Sequence, residues 1–196
     1  MKRELAALGL RVKTARATAV LVGGPRSQPR ALERRSIELW DPEVPDSKQP
    51  YHAALELRAD KGARVVGAAC RAVQNVATGA LRALLEDLRR KGHELRGVGL
   101  VVGSDADPEK LANPHIRAHA LEGRLFWRVL EVAADALGLP CLAVTERDLF
   151  SKGAAALGRP ADELKRLATD LGRPVGRPWG AEEKTAVLAA WMALVR

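Results

Sequence analysis

Residues 9–40 read GLRVKTARATAVLVGGPRSQPRALERRSIELW, and this stretch decides the fold. Apolar and polar side chains alternate through it in three runs, at 9–14, 17–22 and 32–40, which is the period of two that a β-strand imposes. The second break, GGPRSQP at 23–29, is made of residues that favour turns. Three consecutive strands separated only by turns form a meander.

Beyond the meander the pattern changes. Residues 41–52 carry three prolines and little periodicity, which predicts a loop leaving the sheet. Val65, Val66, Ala69, Val73, Val76, Leu81, Leu84, Leu85 and Leu88 then recur at spacings of three and four, predicting a long helix, either continuous or interrupted at Gly79, with a basic stop at RRKG. The run GVGLVVG at 97–103 is continuously apolar, as a strand buried on both faces should be. Asn113 and Pro114 supply a cap and a first-turn proline for a helix reaching about Leu137, closed by Gly138. PCLAV at 140–144 is a further buried strand, followed by helices at 151–157, 161–171 and 181–194. This order predicts an α/β domain occupying residues 1–196, with a mixed five-stranded sheet flanked by helices.

Composition narrows the partners. The chain has 196 residues, 47% of them hydrophobic, enough for one full core. Its net charge of +8 suits an anionic partner, foremost nucleic acid. Cys70 and Cys141 stand apart from any Cys/His motif, so reduced thiols are expected rather than disulfides or a zinc knuckle. No apolar run is long enough for a signal peptide or a membrane span, so a soluble, cytoplasmic protein is expected.

Three groups of side chains carry candidate chemistry. His115, His119 and Glu122 lie at i, i+4 and i+7, within about 60° of one helical face, a geometry that can hold a metal. Asp105 and Asp107, in the loop preceding that helix, could add carboxylate ligands or simply shape the turn. Arg117, Arg124 and Arg128 project from the same helix, Arg26, Arg30, Arg34 and Arg35 lie along the meander, and Arg173 and Arg177 flank Trp179 in GRPVGRPWG. Such a set could track phosphates, with Trp179 available for stacking.

Three local matches, GLRVKTARATAVLV, GVGLVVGSD and WGAEEKTAVLAAWMAL, together with the element order, make the chain resemble the RuvC-like Holliday-junction resolvases of the ribonuclease H-like superfamily. In that family clustered carboxylates hold two Mg2+ or Mn2+ ions, about 4 Å apart, that activate water and stabilise the leaving oxygen of a phosphodiester. The resemblance puts Arg11 where the first metal-binding aspartate belongs. It puts Gly103 and Ser104, with Asp105 just beyond, at the family's glutamate, and Glu182 followed by Thr185 at the paired acids of the closing helix. A guanidinium repels a metal but can pair with a phosphate. The resemblance therefore implies a catalytically degenerate protein that binds branched or duplex DNA, or RNA, with Arg11, Lys13, Arg117, Arg124, Arg173 and Arg177 as contacts.

Two other readings stand beside it. One is an active Mg2+- or Mn2+-dependent endonuclease with Asp105, Glu122 and Glu182 as catalytic acids, in a site rebuilt with Asp107 and His119. The other is a regulatory module or homodimer that meets its partner through Trp191. The closing helix has a bulky face of Val187, Leu188, Trp191, Met192 and Val195, opposite an alanine face that includes Glu182. If the alanines pack inward, Glu182 reaches the site and Trp191 is left for a partner; if the bulky face does, Glu182 is solvated.

Overall fold

A computed structural model describes residues 3–196. Strands β1 (Glu4–Lys13), β2 (Arg16–Gly23) and β3 (Arg30–Glu38) form the antiparallel meander. Strands β4 (His93–Val102) and β5 (Cys141–Thr145) extend it in parallel on the other side of β1, giving the order β3-β2-β1-β4-β5. The expected mixed five-stranded sheet is present. Strand β1 begins five residues before the alternation suggests, because it is central: Ala6 to Val12 are all buried, and a strand covered on both faces shows no period of two.

Among the described residues there are six helices: α1 (Pro50–Ala53), which packs on the next two, α2 (Ala59–Arg90), α3 (Pro114–Ala136), α4 (Leu149–Leu157), α5 (Ala161–Asp170) and α6 (Ala181–Val195). One expectation is corrected here, and one alternative is decided. Residues 41–52 are not all loop, since a 3-10 turn at Pro45–Lys48 leads into the single turn of α1. Helix α2 runs through Gly79 without a break, because that glycine sits on the open outer side with nothing near its Cβ position. The cap of α3 is as expected, with Asn113 Oδ1 accepting from the backbone N–H of His115 and Ile116.

Helices α2 and α3 bury one face of the sheet, where Leu8, Leu10 and Leu100 meet Val73, Leu81, Phe126 and Leu130. Helices α4 to α6 bury the other, where Ala7, Val20 and Val101 meet Ala186, Ala189 and Ala190. Helix α6 lies directly on the sheet because β1 and β4 place Gly9 beside Gly99 beneath it. A Cβ on either glycine would collide with the backbone of Ala186 or Ala189. The alanine face is therefore the inward one, and Glu182 is carried to the carboxyl ends of the strands.

The expectation that this leaves Trp191 free for a partner or a second copy is corrected as well. Trp191 is 3% exposed, packs with Leu149 and Leu164 of α4 and α5, and donates Nε1–H to Arg26 O at 2.9 Å. Both cysteines are free thiols, and burial pushes Cys141 up to about 12, so it stays protonated. Among the described residues no helix is long and apolar enough to cross a membrane.

Candidate functional site

A cleft of about 650 Å³ opens where β1 and β4 end and α3 begins. Strand ends and helix N-termini meet at such an edge, and α/β proteins place their ligands there. Lys13 and Arg124 line it with Arg11, facing Asp105 and Asp107, while Val12, Leu111, Ile116 and Trp127 give it an apolar floor. The indole N–H of Trp127 is buried without a hydrogen-bond partner among the described residues.

Arg11 occupies the centre of the strand edge and is 2% exposed. Its guanidinium donates to Val12 O at 3.2 Å and Val101 O at 3.3 Å and forms an ion pair with Glu146, just past β5. Burial pulls the Arg11 pKa down, against the fields of Glu146 and Glu182. An arginine still stays charged under such pressure. Arg11 thus lines the cleft, with its donors held within the protein.

Glu182, in the first turn of α6, accepts two 2.7 Å bonds from Arg16 and a third, also 2.7 Å, from Thr18 Oγ1. The Arg16 hydrogen bonds hold its carboxyl at about 2, well below the ordinary value of 4.5. Thr185 turns its hydroxyl back to donate to Ala181 O and Glu182 O. A pair of divalent cations needs several carboxylates with free lone pairs. This edge offers two glutamates, Glu182 bound by Arg16 and Glu146 by Arg11, one threonine bound to its own helix, and a buried cation. The residues present do not fit a two-cation carboxylate site.

The Glu182 pairing has a consequence in acid. Its folded pKa is depressed, so its contribution to stability is complete above about pH 4.5 and is lost as the pH falls toward 2. Arg16 is partly solvated, which discounts the effect to about 1–2 kcal/mol. Glu182→Gln should destabilise the protein by that amount at pH 7 and hardly at all at pH 2, as read from urea unfolding at the two pH values; an equal cost at both would remove the pairing as its cause.

The second cluster is built on α1 and α3. His115 and His119 stand one turn apart with Nε2 atoms 3.2 Å from each other, and His52 brings a third ring within 4.6 Å of both, centroid to centroid, the nearer being 4.3 Å from His119. Glu122 is fully buried and accepts from both the backbone N–H of His52, at 3.2 Å, and its Nδ1, at 2.8 Å. The set expected from helical spacing is thus altered in two ways. Glu122 lies behind the histidines, engaged with His52 instead of sharing their opening. Asp105 and Asp107 remain in the exposed loop, where Asp107 caps the 3-10 turn Pro108–Lys110. Among the described residues, His52, His115 and His119 are the one group of three such side chains whose ligand atoms converge. Asp105, Glu122 and Glu182, named as a rebuilt catalytic set, do not.

The basic residues are scattered by comparison. Arg124 and Lys13 are exposed at the cleft, whereas Arg117 donates its Nε–H to Leu111 O at 2.9 Å. Arg173 and Arg177 are exposed on the loop before α6, Arg173 pairing with Asp170. Trp179 is not a free stacking ring, since it packs on Gly172 and donates to Ala168 O. Sequence reasoning missed His52, Glu146 and Arg16. The one available signal was that three of four histidines in the chain could be gathered if residues 41–52 folded back on α3.

This sheet order, with its flanking helices, defines the ribonuclease H-like fold. Within that class the chain is similar to Thermus thermophilus RuvC, with 14% identity over 95% of this chain and 92% of that one and a TM-score of 0.51. It is similar also to T. thermophilus RuvC in complex with Holliday junction substrate, with 14% identity over 96% and 91% and a TM-score of 0.50. The likeness is one of fold. No protein-family model and no curated protein sequence matches the chain.

Proposed function

We propose that the protein binds nucleic acid through the cleft at the ends of β1 and β4, on a RuvC-like scaffold that no longer hydrolyses phosphodiesters with paired Mg2+ or Mn2+ ions. The observation that carries this reading is Arg11: a buried guanidinium, fixed by Glu146, stands at the centre of the strand edge. A guanidinium at that place cannot ligate a divalent metal, and Lys13 and Arg124 present positive charge at the mouth. The net charge of +8 supports an anionic partner, and the neighbouring fold that carries a Holliday junction makes branched DNA the first substrate to test.

Fluorescence anisotropy with a four-way DNA junction, a DNA duplex and an RNA duplex measures this directly. Affinity should fall steeply with salt, and Lys13→Ala with Arg124→Ala should weaken binding and reduce the log–log salt slope by about 2. Absence of binding at about 50 mM salt, or an affinity indifferent to salt, would defeat the proposal. Cleavage in Mg2+ or Mn2+ that is abolished by chelator and by Glu182→Gln would overturn its second half and install an endonuclease.

A further inference from the structure

We propose that His52, His115 and His119 bind one divalent transition-metal ion of the zinc class, with Glu122 as the outer carboxylate that orients His52. The inference goes beyond nucleic-acid binding and does not depend on it.

The case begins with Glu122. It is fully buried, its Oε1 accepts from the backbone N–H and from Nδ1 of His52, and its Oε2 has no partner among the described residues. Donation from Nδ1 to a carboxylate fixes the tautomer of His52 and leaves Nε2 as a lone-pair nitrogen. That nitrogen is also buried and without a hydrogen-bond partner among the described residues. Buried polar atoms are normally satisfied, and an orphan of this kind calls for an explanation. A metal on Nε2 supplies one and compensates the buried carboxylate through the ring, the arrangement by which carboxylate–histidine pairs support metal ions.

The other two rings complete the geometry. The ligand atoms of His52, His115 and His119 lie within 4.8 Å of one another, and the Nε2 atoms of His115 and His119 are 3.2 Å apart. Tetrahedral coordination with metal–nitrogen bonds of about 2.0–2.1 Å requires nitrogens roughly 3.4 Å apart, so modest ring rotations close the set. A hydrogen bond between neutral His115 and His119 would account for those two rings alone and leave His52 Nε2 unexplained. Three imidazoles with no carboxylate among the ligands favour zinc, copper, nickel or cobalt over magnesium or calcium. His115 and His119 are exposed, and His119 also lines the cleft, so the ion has an entry path and a fourth position open to water.

The test uses the full chain without a histidine tag, stripped with chelator and titrated with Zn2+ by calorimetry and with Co2+ by visible absorption. One equivalent should bind, with the absorption of a four-coordinate cobalt site, and excess Mg2+ should not displace it. His115→Ala and His119→Ala, both at exposed positions, should each abolish the saturable equivalent while leaving the metal-free unfolding midpoint unchanged. Glu122→Gln should keep the stoichiometry and weaken affinity about 10–100-fold. No saturable equivalent, or Zn2+ binding that survives loss of both His115 and His119, would overturn the site. Undiminished affinity in Glu122→Gln would overturn the role of the carboxylate.

Discussion

Glu146→Ala should lower the unfolding free energy by about 3 kcal/mol, although the Glu146 side chain is half exposed. The cost falls on its partner. Arg11 is 2% exposed, and its remaining acceptors are the carbonyls of Val12 and Val101. Removing the glutamate leaves a buried cation met by two carbonyls and the field of Glu182, which is itself bound by Arg16, and breaking a buried pair from one side costs about 3–5 kcal/mol. The lower end applies because Glu146 was already partly hydrated. Replacing both members, as Arg11→Met with Glu146→Ala, removes the uncompensated charge and should recover most of the loss. Urea unfolding midpoints at constant m-value read both effects. A single-variant loss below about 0.5 kcal/mol would mean that water serves Arg11 as well as Glu146 does.

Gly9→Ala should cost at least as much, about 3 kcal/mol or more, at the upper edge of what overpacking does. The added methyl meets the backbone of Ala186, not the end of a flexible side chain, and α6 is enclosed by the sheet on one side and by α4 and α5 on the other. The helix has nowhere to retreat without reopening both layers. Gly79→Ala provides the contrast, because nothing lies within 4 Å of its Cβ position and alanine is the better helix former by about 1 kcal/mol. Thermal or urea unfolding of the pair checks the argument. A Gly9→Ala protein as stable as its parent would show that α6 can ride higher on the sheet than its contacts indicate.

The parts of the molecule that were legible in the sequence are those where one physical rule acts alone. The meander showed because the turn-rich GGPRSQP separates short runs of strand-forming residues, and α3 showed because Asn113 and Pro114 mark its start. Strand β1 was readable only in part, since Ala6, Ala7 and Leu8 are all buried and carry no period. The site was less legible than the fold. His115 and His119 share a helix, so spacing alone brings them together; His52 reaches them from a four-residue helix whose position depends on packing against α2 and α3. Glu122 has the right phase on α3, but phase says nothing of depth. The pairing of Arg11 with Glu146 joins residues 135 positions apart, a distance at which no local rule operates.

The seam between β1 and β4 sets the order in which the molecule can assemble. Arg11 faces Val101 across it, 90 residues later, and all of α2 must cross over before the first hydrogen bond of that seam can form. The entropy of closing so long a loop precedes any gain from pairing. The β1–β3 meander can nucleate by itself, because its turns are short. The strand edge at which the cleft opens is therefore a late product of folding, assembled when the crossover docks.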